Sequence, residues 1–385
     1  MLRNISAWLC LLLFPLDGFA QSTETPSGYF FNANSPMGIS ASVDLLHPAS
    51  FDNDENNRLI VRDAELSLFG SIDHLFDGVL TLTGHSEYEG FHFEVHEAYI
   101  GSSKLIPRSR FRIGKFLLAV GRLNPFHRHD WPFITAPKIQ REFFNSGHTA
   151  YDAEGAIDTG IEYSILLPLP FYFDLTLGVT NGYEFGHSHA GAHDHDEHDH
   201  DHEHYHAAHK RPQSPLYYVR PTFYFALADD SGLLLGLNYL NHKDHAGVEM
   251  ALTGLDATYK KREGRRLKWL FQSEIWHRAM NQTPNGDTST IGAYIYPQFG
   301  WSEKIFFGLR LDAYSRLNGS HEGEDKKNLD YAFAPVFTYK PSEFSHLRVA
   351  YTHEVETVEG SDDRTDRRLE FQFVYFLGAH PAHDF

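Results

Sequence analysis

Residues 171–182 read FYFDLTLGVTNG, a run in which Phe171, Phe173, Leu175 and Leu177 alternate with Tyr172, Asp174 and Thr176. A period of two puts successive side chains on opposite faces, as in a strand; apolar positions of a helix recur every 3.6 residues. The alternation returns upstream, where Leu66, Leu68 and Gly70 interleave with Glu65, Ser67 and Phe69. Followed along the chain it predicts sixteen strands, near residues 38–46, 58–71, 76–84, 92–101, 109–118, 157–167, 171–182, 216–228, 233–241, 248–261, 267–279, 289–300, 305–317, 329–340, 345–356 and 366–377.

The connections alternate in length. Short ones, carrying turn residues, fall at 71–75, 106–108, 168–170, 229–232, 262–266, 301–304 and 341–345. Longer polar ones fall at 47–57, 85–91, 119–156, 184–215, 241–247, 279–288, 318–328 and 357–365. This predicts an all-β fold: a transmembrane antiparallel β-barrel of about sixteen strands, with long outer loops, short periplasmic turns and both termini in the periplasm. The bilayer core offers no water to bond backbone groups, so a closed barrel is favoured over an open sheet. A soluble sandwich would lack the long/short alternation, and no internal repeat of propeller length is present.

Composition agrees. Aromatic residues make up 15% of the chain although mean hydropathy is negative, a pairing that half-lipid, half-lumen strands produce. Residues 1–20 have the layout of a secretory signal, with Arg3, an apolar run from Ile5 to Phe14, and small residues before Gln21. Residues 21–37 then form a periplasmic lead, 38–377 the barrel and 378–385 a tail bearing His380 and His383. The one cysteine, Cys10, lies in the leader, so disulfides and thiolate metal sites are excluded from the mature chain. A net charge of -18 argues against nucleic acid as a partner. No nucleophile-elbow or comparable signature supports an enzyme. The aromatic last strand, Phe371 to Phe376, suits a substrate of barrel-assembly machinery.

Charged residues at strand positions (Arg62, Glu65, Arg112, Lys115, Glu162, Arg220, Glu274, Arg310 and Asp312) are expected to face the lumen. Tyr217, Tyr218, Tyr224, Tyr294 and Tyr296 are expected to form girdles at the membrane interfaces.

Two long loops carry metal-binding chemistry. Within the fourth, 184–215, the stretch Gly186–His209 reads GHSHAGAHDHDEHDHDHEHYHAAH and holds ten of the chain's 26 histidines. The candidate ligands are His187, His189, His193, His195, His198, His200, His202, His204, His206 and His209, with Asp194, Asp196, Asp199 and Asp201. Neutral imidazole binds zinc, copper and nickel, and carboxylates add oxygen donors; composition selects none of these metals. With almost nothing apolar to offset its ordering entropy, the tract is expected to collect metal without fixed geometry. The third loop, 119–156, has Trp131, Phe133, Phe143, Phe144 and several prolines, so it is expected to be ordered and to constrict the lumen. In it His127, His129, Asp130 and His148 form a candidate second metal site. The competing reading is that these residues brace the loop against the wall, with Arg128, Lys138 and Arg141 pairing acids.

GKFLLAVGRLNPFHRHDWPF (114–133), LLPLPFYFDLTLGVTNG (166–182), the His-rich insert after it and the terminal GAHPAHDF together resemble a family of bacterial outer-membrane proteins. Its members are labelled zinc-regulated outer-membrane receptors or porin-like proteins, and the resemblance spans essentially the mature chain. It implies a role in acquiring zinc across the outer membrane. A TonB-dependent receptor would need a plug domain and a 22-strand barrel; a plugless channel fits the sixteen strands better. Two functions follow as expectations: a porin-like route for zinc or another divalent metal, and a general or anion-selective porin whose His loop only sequesters metal. A blocked barrel serving as an adhesin is a third. Partners expected are outer-membrane lipid of a Gram-negative bacterium, metal ions and two further copies in a homotrimer.

Overall fold

A computed structural model describes residues 37–52, 57–87, 90–144, 149–182, 211–283, 286–318, 329–357 and 363–378. Sixteen strands run in chain order: Gly38–Ser50 (β1), Ile60–Ser71 (β2), Asp77–Glu87 (β3), Gly90–Ser102 (β4), Ser109–Leu117 (β5), Ile157–Leu166 (β6), Tyr172–Thr180 (β7) and Leu216–Ala228 (β8). Ser231–Lys243 (β9), Glu249–Glu263 (β10), Arg266–Asn281 (β11), Thr288–Gly300 (β12), Ile305–Asn318 (β13), Leu329–Ser342 (β14), Ser345–Glu356 (β15) and Arg364–Gly378 (β16) complete them. Each pairs antiparallel with its neighbours in sequence. The barrel closes where β1 meets β16, from Ser40 opposite Gly378 to Ser50 opposite Arg368. The predicted strands are all present. One connection is shorter than the sequence suggests: β3 and β4 reach Glu87 and Gly90 because His85 and His92 continue the ladder where a loop was expected.

Alternation along the strands sets the two faces. In β14, Tyr331, Phe333 and Phe337 are exposed outward while Ala332, Ala334, Val336 and Thr338 are buried inside. Outward apolar side chains recur around the wall, among them Ile161, Leu177, Leu237, Leu255, Ile275, Ile295 and Phe371. An apolar surface of this extent is a liability in water and is stabilised in hydrocarbon, which makes this a membrane-spanning barrel of the outer-membrane type.

The girdle expectation fails for four of the five tyrosines. Tyr217 faces outward, but Tyr218, Tyr294 and Tyr296 are buried inside, and Tyr224 shares their register, its ring against inward Gly232. Each of the three buried hydroxyls has a lumen partner: Tyr218 donates to Glu162, Tyr294 to Glu274, and Tyr296 to the carbonyl of Pro132. Tyr218 fits because Gly178 lies opposite; a Cβ there would fall 2.0 Å from its ring. Lys115 also departs from expectation, pairing with exposed Thr159 on the outer face.

Prolines inside strands remove a ladder donor. Pro221, Pro297 and Pro335 each keep register with one neighbour, at Leu175, Phe271 and Leu309. On their other side the pairing skips, between Val219 and Thr222, Ile295 and Gln298, and Phe333 and Val336.

Candidate functional site

The loop from Leu118 to Ala156, hereafter loop 3, folds into the barrel. Its neck is closed by Leu118 N–H donating to the Ala156 carbonyl at 3.0 Å, and by Asn124, whose amide reaches both the Leu118 and Ala156 carbonyls at 2.7 and 3.1 Å. Gly121 turns the chain with φ +64, in a space where a Cβ would meet Glu274 at 2.3 Å. Trp131, Phe133, Ile134, Ile139, Phe143 and Phe144 are then buried in the lumen as a small apolar core. Phe133 packs edge-on against Tyr294 and Tyr296, and Phe144 edge-on against Trp276.

Polar contacts fix this core to the surrounding wall. Gly121 N–H donates to Asn238 of β9 at 2.8 Å and Leu123 N–H to Glu274 of β11 at 2.9 Å. Arg62 of β2 and Arg310 of β13 donate to the carbonyls of Ile134 and Thr135. Lys138 pairs with Glu356 and Asp330, and Arg141 with Glu354. Loop 3 is thus seated inside the barrel by an aromatic core and by ion pairs between its cations and acids of the wall.

Two β-bulges prepare the wall facing this loop. Between β1 and β2 the register moves from Asp44 opposite Asp63 to Leu45 opposite Val61, leaving Arg62 as the extra residue. Between β3 and β4 it moves from Thr81 opposite Glu97 to Leu82 opposite Val95, leaving His96 extra. A bulge lets two consecutive side chains share a face. Arg62 with Asp63, and His96 with Glu97, are accordingly all buried inside.

Loop 3 brings His127, Arg128, His129 and Asp130 against these residues through a 3-10 turn at Arg128–Asp130. His127 lies between two carboxylates, with Nδ1 3.2 Å from Glu65 and Nε2 3.2 Å from Glu97. His129 stacks on it at 5.7 Å and 8°, its own Nδ1 3.6 Å from Glu65 and Nε2 3.7 Å from Asp130. His96 contacts Glu154 from the returning arm of the loop. Arg128 forks onto Asp63 at 2.5 and 2.8 Å and reaches Glu154 at 2.9 Å.

Glu65, His96 and His127 each present a ligand atom, all within 4.8 Å of one another and all buried; Glu94, His96 and Glu154 are as close to one another at the edge of the cluster, where Glu94 is exposed and Glu154 half-buried. Three donors plus an open position suit zinc or a similar divalent ion. With Nε2 bonded to Glu97, Nδ1 of His127 is left toward Glu65, the carboxylate–histidine–metal arrangement that fixes a ligand's tautomer. Nδ1 of His96 and Oε1 of Glu97 are buried without a hydrogen-bond partner among the described residues, which a cation would relieve. Five carboxylates (Asp63, Glu65, Glu94, Glu97, Glu154) gather here around Arg128, while the neighbouring Arg62 and Arg112 are taken up by Asp44 and Glu162, so the local field favours a cation.

Of the expected second-site residues, His127, His129 and Asp130 come together. His148 lies outside the described residues, as does every ligand of the 187–209 tract, and so do His380 and His383. Glu97, Glu94 and His96 escape a reading based on strict alternation, because the bulge at His96 is not marked by glycine or proline.

A closed sixteen-stranded barrel with an apolar outer belt is the architecture of an outer-membrane β-barrel, and it resembles known porins and channels in fold. The solved structures it resembles include OmpT of Vibrio cholerae in trimer form, with TM-score 0.56 and 10% identity, covering 89% of this chain and 99% of that one. The outer-membrane channel DcaP of Acinetobacter baumannii (TM-score 0.55, 10% identity, 89% and 96% covered) is a second. The anion-selective porin of Comamonas acidovorans (0.55, 9%, 89% and 99%) is a third. At such identities the likeness is one of fold. In sequence, the chain is 25% identical over 352 residues to an uncharacterized protein of Aquifex aeolicus, covering 84% of this chain and 69% of that one. No family model matches the chain.

Proposed function

We propose that the protein is a porin-class outer-membrane channel constricted by loop 3, which retains a divalent transition metal at Glu65, His96 and His127. The observation that carries this reading is the seating of loop 3 inside the wall, with His127 set between Glu65 and Glu97. The fold likeness to solute channels supports general or anion-selective permeation, with metal sequestered at the constriction and by the tract holding His187 to His209. Zinc fits the donor set, and the resemblance to zinc-regulated outer-membrane proteins favours it over copper or nickel.

A second reading, dedicated uptake of zinc, has its own support: the His/Asp tract joins β7 to β8 at the same long-loop end as loop 3, so captured ions would meet the cluster next. Homotrimeric assembly belongs with either reading and is tested by native mass spectrometry of the detergent-extracted protein.

Planar bilayers decide between the two. The first reading expects steady conductance, anion-selective or unselective, and, in the protein deleted for residues 186–209, one zinc bound per chain with that binding lost in His127→Ala. Strong cation selectivity, together with impaired zinc-limited growth on deleting residues 186–209, would establish the second. Absence of conductance would refute both.

A further inference from the structure

The two triads at the constriction differ in their access to water. Glu65, His96 and His127 are all buried, whereas Glu94 is the only exposed member of either triad and Glu154 is half-buried. The ligand atoms of Glu94, His96 and Glu154 nevertheless lie within 4.8 Å of one another, and His96 belongs to both triads. Taking a divalent cation from water to the buried triad in one step would remove its hydration before protein ligands replaced it, which is costly. A partly wet triad that shares a ligand with the dry one divides that cost.

Strand register fixes how the triads are placed. Thr83 of β3 is opposite Glu65 of β2 on one side and Glu94 of β4 on the other. Directly opposed residues share a face of the sheet, so Glu65, Thr83 and Glu94 form one row across three strands, on the lumen side where Glu65 and Thr83 are buried. The Thr83 hydroxyl, in the middle of that row, is buried without a hydrogen-bond partner among the described residues, a deficit that a passing hydrated cation would relieve. Glu94 also stands nearer the long-loop end of β4 than His96 does. Glu154 has one oxygen for each neighbour: Arg128, itself paired with Asp63, donates to Oε1 at 2.9 Å, and Oε2 lies against Nε2 of His96.

We propose that Glu94, His96 and Glu154 form an outer station for a divalent transition-metal ion, which takes the ion from water on the long-loop side and passes it to the buried triad. His96 keeps its bond to the ion; the bonds to Glu94 and Glu154 break, and those to Glu65 and His127 form. The step transfers no electron, and because zinc expands readily from four ligands to five, a new ligand is gained before an old one is lost. The inference rests on retention of the metal at Glu65, His96 and His127, and adds to it the route by which the ion arrives and leaves.

The test is stopped-flow exchange of zinc with a fluorescent chelator, in detergent-extracted protein lacking only residues 186–209, so that the His tract does not compete. Glu94 is exposed and glutamine matches its shape, and heat-modifiable gel mobility confirms that the Glu94→Gln barrel is folded. A station on the path changes rates and not end states, so Glu94→Gln should slow zinc uptake and zinc release alike, each by about tenfold, and leave the equilibrium affinity unchanged. Slower uptake with release unchanged or faster, and hence weaker affinity, would make Glu94 a source of attraction or a ligand of the bound state and overturn the proposal. Unchanged rates would also overturn it. If zinc still binds in a His127-dependent way when the Glu94→Gln rates are unchanged, the buried site stands and the station alone is refuted; no zinc binding before any substitution removes both.

Discussion

Arg128→Met is the sharpest perturbation of loop 3. Arg128 is 3% exposed and makes four hydrogen bonds: two to Asp63, at 2.8 and 2.5 Å, one to Glu154 at 2.9 Å and one to the Tyr151 carbonyl at 2.7 Å. At ~2.8 Å and an effective dielectric near 20, each charge pair is worth about 6 kcal/mol of gross attraction. Much of this offsets the desolvation of burying both partners. Methionine fills the aliphatic volume but leaves Asp63, 1% exposed, without its counter-ion. Removing one member of a buried pair costs about 3–5 kcal/mol. With a denaturant dependence of ~3 kcal/mol/M, the urea midpoint of the protein in micelles should fall by about 1–1.7 M. Adding Asp63→Asn to Arg128→Met should recover a large part, since the stranded charge is then gone. Conductance noise should rise in the single variant as the loop loosens. A midpoint shift below about 0.3 M, or no recovery in the double variant, would refute the claim that loop 3 is latched by this pair.

Other consequences can be measured independently. Glu97→Gln removes the carboxylate behind His127 and should weaken zinc binding about 10- to 100-fold in a competition titration, with conductance unchanged. Gly178→Ala drives a methyl into the Tyr218 ring and should cost about 1–3 kcal/mol in urea unfolding, partly relieved by Tyr218→Phe because the ring can then shift away from Glu162. In the short β2–β3 turn, Asp73 accepts the N–H groups of Leu75 and Phe76 at 2.7 and 2.9 Å, which hold its carboxyl below the ordinary aspartate range. A depressed carboxylate stabilises the fold above its unfolded pKa and loses that contribution as pH falls through the folded one. An NMR titration should therefore find Asp73 still ionised where a free aspartate is half protonated, and Asp73→Ala should lose the acid-side dependence.

The strand count and order were legible in the sequence because alternation is a local property, readable wherever one face meets lipid. The ordering of loop 3 was legible too, from Trp131, Phe133 and the prolines around them. Alternation alone could not show where it breaks. Arg62 and Glu65 are both correctly expected inside, yet they have opposite parity, and this contradiction was the available signal for a bulge between them. The same device at His96 gave no such sign, so His96 and Glu97 were not read as neighbours of His127. The tyrosines misled for another reason: Tyr218, Tyr294 and Tyr296 have hydroxyls that can be satisfied either at a headgroup or by a buried carboxylate or carbonyl in the lumen, and composition does not distinguish the two.

Loop 3 springs from between β5 and β6 but is bonded to β2, β4, β9, β11, β12, β13, β14 and β15. A cylinder whose staves are joined only edge to edge resists stretching around its rim, yet flattens into an oval with small changes of angle at every seam. Contacts that cross the bore act as spokes, and a spoked rim stays round under sideways load. Lateral pressure from the bilayer is thus carried through the hub, and the histidine–carboxylate cluster sits where one spoke joins the rim, with Glu65, His96 and Glu97 on the rim and His127 on the hub. Any distortion of the barrel's cross-section is felt there as a change in ligand spacing.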